Sequence, residues 1–291
     1  MLETGGVLLI PYTLWSLFYA AISIAQKLHN GGNINIEAYV VKYFTGGLAT
    51  PLYYIVCLLQ LVILTPLIIP VVKNRKSLLH KLLWLLTPIY VLFLDIMYLF
   101  FPDSAFMTDQ GTLKAVLFPC WFLFYYLGMN VRYYPDLWKQ RARKYGRSGN
   151  LITAIILEII ASEMIAFKTG NYDWATGQIR FCGFFYAVIC CLFLVNKHYS
   201  YANKSANIFV RVLRHIGDCA YGIFYIHCFI LIFIRKFCSA IGLSDIWILN
   251  FIICFLMTAL LSVLAVNIVN VLAGKLRIEK ALKWIGFERS I

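Results

Sequence analysis

Long apolar runs broken by short polar connections set the pattern of this chain. A helix that crosses a bilayer needs about 20 mostly apolar residues. Eight stretches meet that length: 6–26, 51–71, 82–101, 113–131, 150–168, 177–196, 219–240 and 246–272. The pattern therefore predicts an all-α integral membrane protein, a bundle of about eight transmembrane helices. Residues 1–272 form its membrane domain and residues 273–291 a tail.

The polar connections alternate in charge. Segments 72–81, 132–149, 197–218 and the tail hold 19 of the 26 Lys and Arg residues. Cationic loops stay on the cytoplasmic side, and an even number of crossings then puts both the N- and C-termini in the cytoplasm. This topology also accounts for the formal net charge of +13, so no nucleic-acid partner is expected. Composition agrees: 62% of residues are hydrophobic and 13% charged, about half the charged share of a soluble domain.

The longest outer connection, 27–50, has an apolar middle that either lies at the interface or re-enters the protein. The longest inner loop, "RYYPDLWKQRARKYGRSGN", is basic and aromatic, as a headgroup-facing segment should be. The tail "KLRIEKALKWIGFERSI" reads as a short amphipathic helix on the inner leaflet. The start, "MLETGGVLLIPYTLW", lacks the basic region and cleavage site of a signal peptide, so Gly6 onward reads as a retained spanning helix. Nine scattered cysteines without a CxxC pair suit apolar packing, not a disulfide framework or a metal site.

Ionisable groups at bilayer depth are costly unless paired or hydrated, which makes each a site candidate. Asp95 falls in the third span, Glu158 and Glu163 in the fifth, and Arg180 at the outer end of the sixth. Glu158 and Glu163 are about 140° apart around their helix and so do not form one carboxylate face. Arg180 is expected either to pair with Glu163 across the bundle or to join a substrate site. His227 lies about 12 Å into the seventh span from its cytoplasmic end. There an imidazole either acts as a base or fixes helix packing through a hydrogen bond. Tyr221 and Tyr225 precede it on the same helix, as packing or lining residues.

The stretch "IGDCAYGIFYIHCFIL", with Gly217, Ala220, Tyr221, Ile223, Phe224 or Tyr225, and His227, resembles a late helix of the membrane acyltransferase-3 family. "LLIPYTLWSLFY", with Pro11, Tyr12, Trp15 and Ser16, resembles that family's third helix. The glycine-bearing loop and aromatic-led helix "FTGGLATPLYYIVCLLQLVILTPLI" resembles the family's next segment. The resemblance covers almost the whole chain and implies an integral-membrane O-acyltransferase of the bacterial cytoplasmic membrane. Such an enzyme moves acetyl from cytoplasmic acetyl-CoA, or another acyl-CoA, to a hydroxyl of a surface or lipid-linked glycan, with acyl-CoA as co-substrate and no bound cofactor. On this reading His227 is the candidate catalytic residue, and Glu158, Glu163, Arg180, Tyr221, Tyr225 and Trp15 are candidate substrate-binding residues. The family's first two helices, which carry its usual histidine, have no counterpart before "LLIPY", so the chain is expected to be truncated or divergent. Two other readings remain open: a carrier of a small polar substrate lined by Glu158, Glu163 and Arg180, and a catalytically inactive regulatory homologue.

Overall fold

The computed structural model describes residues 2–103, 116–175, 177, 179–201, 208–243 and 246–287. All regular structure among them is helical. In chain order the helices are α1 (Leu2–His29), α2 (Ile36–Thr45), α3 (Tyr53–Lys73), α4 (Leu78–Leu83), α5 (Leu86–Phe100), α6 (Phe122–Tyr133) and α7 (Pro135–Tyr145). There follow α8 (Ser148–Thr169), α9 (Tyr172–Ala175), α10 (Phe181–Tyr201), α11 (Ile208–Asp218), α12 (Ala220–Ala240), α13 (Trp247–Lys275) and α14 (Glu279–Ile285). Among the described residues, seven helical segments are long and apolar enough to cross a membrane. The molecule is thus a multi-pass helical membrane protein.

Two spans depart from the simple pattern. The third, Leu78–Phe100, is interrupted between α4 and α5. Pro88 stands in the first turn of α5; it has no N–H to donate and its ring crowds the carbonyl four residues back, that of Trp84. The expected span 113–131 begins in residues outside those described. Its remainder is a 3-10 turn, Phe118–Cys120, followed by α6. The twelve residues of α6 reach only about 18 Å, short of the roughly 30 Å hydrocarbon core.

The chain divides into two compact units, residues 1–59 with 206–291, and residues 60–205. In the first unit, α2 folds back along α1. Ser23 and Tyr39 share a hydrogen bond of 2.9 Å, and ten residues earlier on α1 Thr13 bonds the Tyr43 hydroxyl at 2.8 Å. The Tyr12 hydroxyl donates to the Tyr43 carbonyl. The middle of 27–50 forms α2, which runs antiparallel to α1. Asn35 caps α2 by accepting from Ala38 N–H.

The tail differs from the surface helix expected of it. Instead α14 docks among α1, α12 and α13, with Leu282 and Phe287 buried beside Cys219, Val266 and Ala273. The Trp15 indole donates to the Ile285 carbonyl at 2.9 Å. Gly286, at φ 78°, seats the chain against Tyr225, where a Cβ would meet the ring at 2.7 Å. The tail's alternating apolar residues thus bury protein-facing surface.

In the second unit α8 packs on α10, and α10 on α5 and α7. The Gly146 turn allows the close approach of α7 to α10, since a Cβ there would stand 2.3 Å from the Leu192 carbonyl oxygen. Thr87, fully buried on α5, accepts from Leu123 N–H at 2.9 Å and ties α5 to the start of α6.

Candidate functional site

The second unit holds two polar constructions at opposite ends of α5. The first is a cavity of about 820 Å³ at the cation-rich end. The turn after α3, the short helix α4 and the α6–α7 corner build it. Pro135 starts α7 at a position where its missing N–H costs nothing, and it forces Tyr134 out of helical conformation. The Tyr134 hydroxyl then lies 3.0 Å from the carbonyl oxygens of both Val72 and Lys73, at the end of α3. Arg75 lies over the Tyr134 ring at 4.9 Å, and Arg141 over Trp138 at 4.7 Å. Trp84 packs against Trp138 with ring centroids 5.6 Å apart. Lys73, Lys76 and Lys81 also line the cavity, and among the described residues no carboxylate does.

His80 braces the wall. The Trp84 indole donates to its Nε2 at 3.3 Å; an indole N–H is only a donor, so the neutral ring carries its proton on Nδ1. That nitrogen faces the Tyr126 hydroxyl at 2.7 Å and the Val71 carbonyl at 3.3 Å. Both His80 and Tyr126 are buried. Five cations, three of them (Lys73, Arg75 and Arg141) over aromatic rings, and an aromatic wall suit a ligand that carries phosphates and a planar ring.

The second construction lies about 14 Å along α5 from its start, nine residues on from Leu86 at Asp95. Arg180, 1% exposed, faces Glu158, with Nη1 3.6 Å from Oε1. The same Nη1 donates to Ser162 Oγ at 2.8 Å, and the Ser162 hydroxyl donates to Glu158 Oε1 at 3.4 Å. Asp95 Oδ2 accepts from Phe181 N–H at 2.9 Å and caps α10. Glu158 and Ser162 are four residues apart, hence on one face of α8. Glu163 is one residue further round and exposed. The expected pairing of Arg180 with Glu163 is therefore corrected: helix phase gives Arg180 to Glu158.

The remaining sequence candidates fall in the first unit. Trp15 stacks on Tyr225 with centroids 5.8 Å apart. The Tyr221 hydroxyl bonds the Val7 carbonyl at 3.2 Å and the Tyr225 hydroxyl at 3.1 Å. All three thus belong to the packed aromatic layer that joins α1, α12 and the tail. His227 Nδ1–H donates to the Ile223 carbonyl at 2.9 Å. Its ring lines a groove of about 520 Å³ between α12 and α13, mostly apolar, with Arg235, Thr258 and Ser262. The sequence reading missed His80, Trp84 and the two arginine–aromatic pairs. The available signal was aromatic residues interleaved with cations in the segments 73–84 and 132–145. Among the described residues no cluster of three or more His, Cys, Asp or Glu is placed to hold a metal.

A multi-pass membrane protein with a basic, aromatic cavity at the end of its helices is the class that fold and site define. The acyltransferase-3 family model, described as an acyltransferase domain, matches residues 7–267. The chain belongs to this family, and membership implies membrane acyltransferase activity. No curated protein and no solved structure matches the chain.

Proposed function

We propose that the protein transfers an acyl group, acetyl in the simplest case, from cytoplasmic acyl-CoA to a hydroxyl of a surface or lipid-linked glycan in the bacterial cytoplasmic membrane. The observation that carries the donor assignment is the roughly 820 Å³ cavity, lined by five cations, two tryptophans and, among the described residues, no carboxylate. Coenzyme A is a polyanion with a purine at one end. Its phosphates match Arg75, Arg141 and the lysines; its adenine matches the Trp84–Trp138 wall. The volume falls within the range of about 300–1,000 Å³ usual for small-molecule sites. His80 and Tyr126 hold that wall in place.

In the transfer itself, the acceptor oxygen attacks the thioester carbonyl, the carbon–sulfur bond breaks, and the hydroxyl proton ends on the CoA thiol. Membranes containing the protein, given acetyl-CoA labelled in the acetyl group, are expected to pass label to a host glycan. Arg75→Ala/Arg141→Ala should raise the KM for acetyl-CoA at least tenfold. Protein in membranes that binds acyl-CoA but moves no label to any host glycan would defeat the reading.

A further inference from the structure

The groove between α12 and α13 has a composition that helix packing alone does not explain. It measures about 520 Å³, with Phe224 and Leu231 on one wall and Phe251 and Phe255 on the other. Polar side chains interrupt this apolar lining. Arg235 lines the groove, is exposed, and has no ion-pair partner among the described residues. Thr258 and Ser262 line it too, and the hydroxyl oxygen of each is buried without a hydrogen-bond partner among the described residues. Such a group costs stability until something completes it.

Two contacts set the antiparallel register of the helices. Cys254 Sγ lies 4.0 Å from Cys238 Sγ, and Gly222 faces the side chain of Val266. Thr258 therefore comes level with residues 230–234, and Ser262 with residues 226–230. Arg235 stands five residues before the end of α12 at Ala240, about 8 Å along the axis. An arginine at that depth is costly unless its long side chain reaches an anion at the membrane surface. His227 adds no donor, because Nδ1–H is committed to the Ile223 carbonyl and Nε2 faces Cys228 Sγ at 3.5 Å.

From its mouth inward the groove thus presents a cation, one hydroxyl, a second hydroxyl and then hydrocarbon. That order selects the ligand. A phosphate meets Arg235, and ester carbonyls, which only accept, meet the hydroxyl donors. Both hydroxyls belong to residues on the groove wall and turn among staggered χ1 rotamers to reach an acceptor. An acyl chain fills the apolar remainder. A polyprenyl phosphate has the anion and the hydrocarbon but no acceptor for the hydroxyls. An apolar helix laid in the groove leaves both the arginine and the hydroxyls unanswered.

We propose that the groove between α12 and α13 holds one glycerophospholipid. Its phosphate sits on Arg235, its ester carbonyls on Thr258 and Ser262, and one acyl chain runs past His227 toward Ile223. On the topology expected from the loop charges, this is a lipid of the outer leaflet. The site stands independently of the donor cavity and of acyl transfer.

The test is native mass spectrometry of the purified protein in detergent, titrated with three lipids. These are dioleoyl phosphatidylglycerol, the matching diether lipid, which keeps the headgroup but lacks both carbonyls, and a polyprenyl phosphate. Wild type should take up one diester molecule, at least tenfold more tightly than either other lipid. Arg235→Gln should weaken uptake at least tenfold. Ala259→Trp, which fills the groove from an exposed position, should abolish it. Lys236→Gln, beside Arg235 and exposed but outside the groove, should leave uptake unchanged, which separates a seated lipid from general attraction to an anionic headgroup. Circular dichroism confirms the fold of each variant. No uptake by wild type, equal uptake by wild type and all variants, or no preference for the diester over the other two lipids overturns the proposal.

Discussion

At the scale of single residues, the functional groups are held by short, specific contacts whose loss should be measurable. Thr87→Val keeps the side-chain shape but leaves Leu123 N–H without its buried partner, an expected loss of about 1–3 kcal/mol in a denaturant or thermal assay. Gly146→Ala forces a Cβ against the Leu192 carbonyl, and an overpacking cost of about 1–3 kcal/mol is expected. If either variant were as stable as wild type, the corresponding contact would not be formed. Arg180 and Glu158 stand out in the sequence because charge inside an apolar run is expensive. Their partnership does not, because Glu158 and Glu163 are equivalent until the phase of α8 against α10 is known. Five residues, about 140° around the helix, separate the half-buried ion-pair partner from an exposed carboxylate.

At the scale of elements, apolar length exposes the spanning helices, while their interruptions depend on finer chemistry. Pro88 marks the break between α4 and α5, yet it lies inside an apolar run that hydropathy reads as continuous. The tail shows the opposite case. Its amphipathic pattern is real, but an apolar face does not say whether lipid or protein covers it, and Trp15, Tyr225 and Gly286 decide for protein. Trp15→Phe keeps the ring stacking and removes the bond to Ile285, so about 1 kcal/mol of docking should be lost. A cysteine placed at Trp284 should then react faster with a water-soluble maleimide in the Trp15→Phe background. Equal rates in both backgrounds would mean that the indole does not hold the tail. The cavity at the α4 and α6–α7 corners was the least legible feature. Each inner loop reads alone as a headgroup-facing segment, and only the turn at Tyr134 and the break at Trp84 bring the two together.

At the scale of the whole molecule, the apolar helices and family membership converge on a multi-pass membrane acyltransferase. The loop charges predict that cysteines at positions 76 and 143 label only from the cytoplasmic side, and cysteines at 33 and 170 only from the outside. Labelling of all four from one side would invalidate that topology. The central claim is that the basic, aromatic cavity binds the CoA moiety, and calorimetry of CoA binding to the purified protein tests it most directly. CoA is expected to bind, to bind more weakly as salt is raised because exposed charges are screened, and to lose at least tenfold in affinity in Arg75→Ala/Arg141→Ala or Trp138→Ala. Binding that is indifferent to salt and to all three substitutions, or no binding at all, would contradict the account.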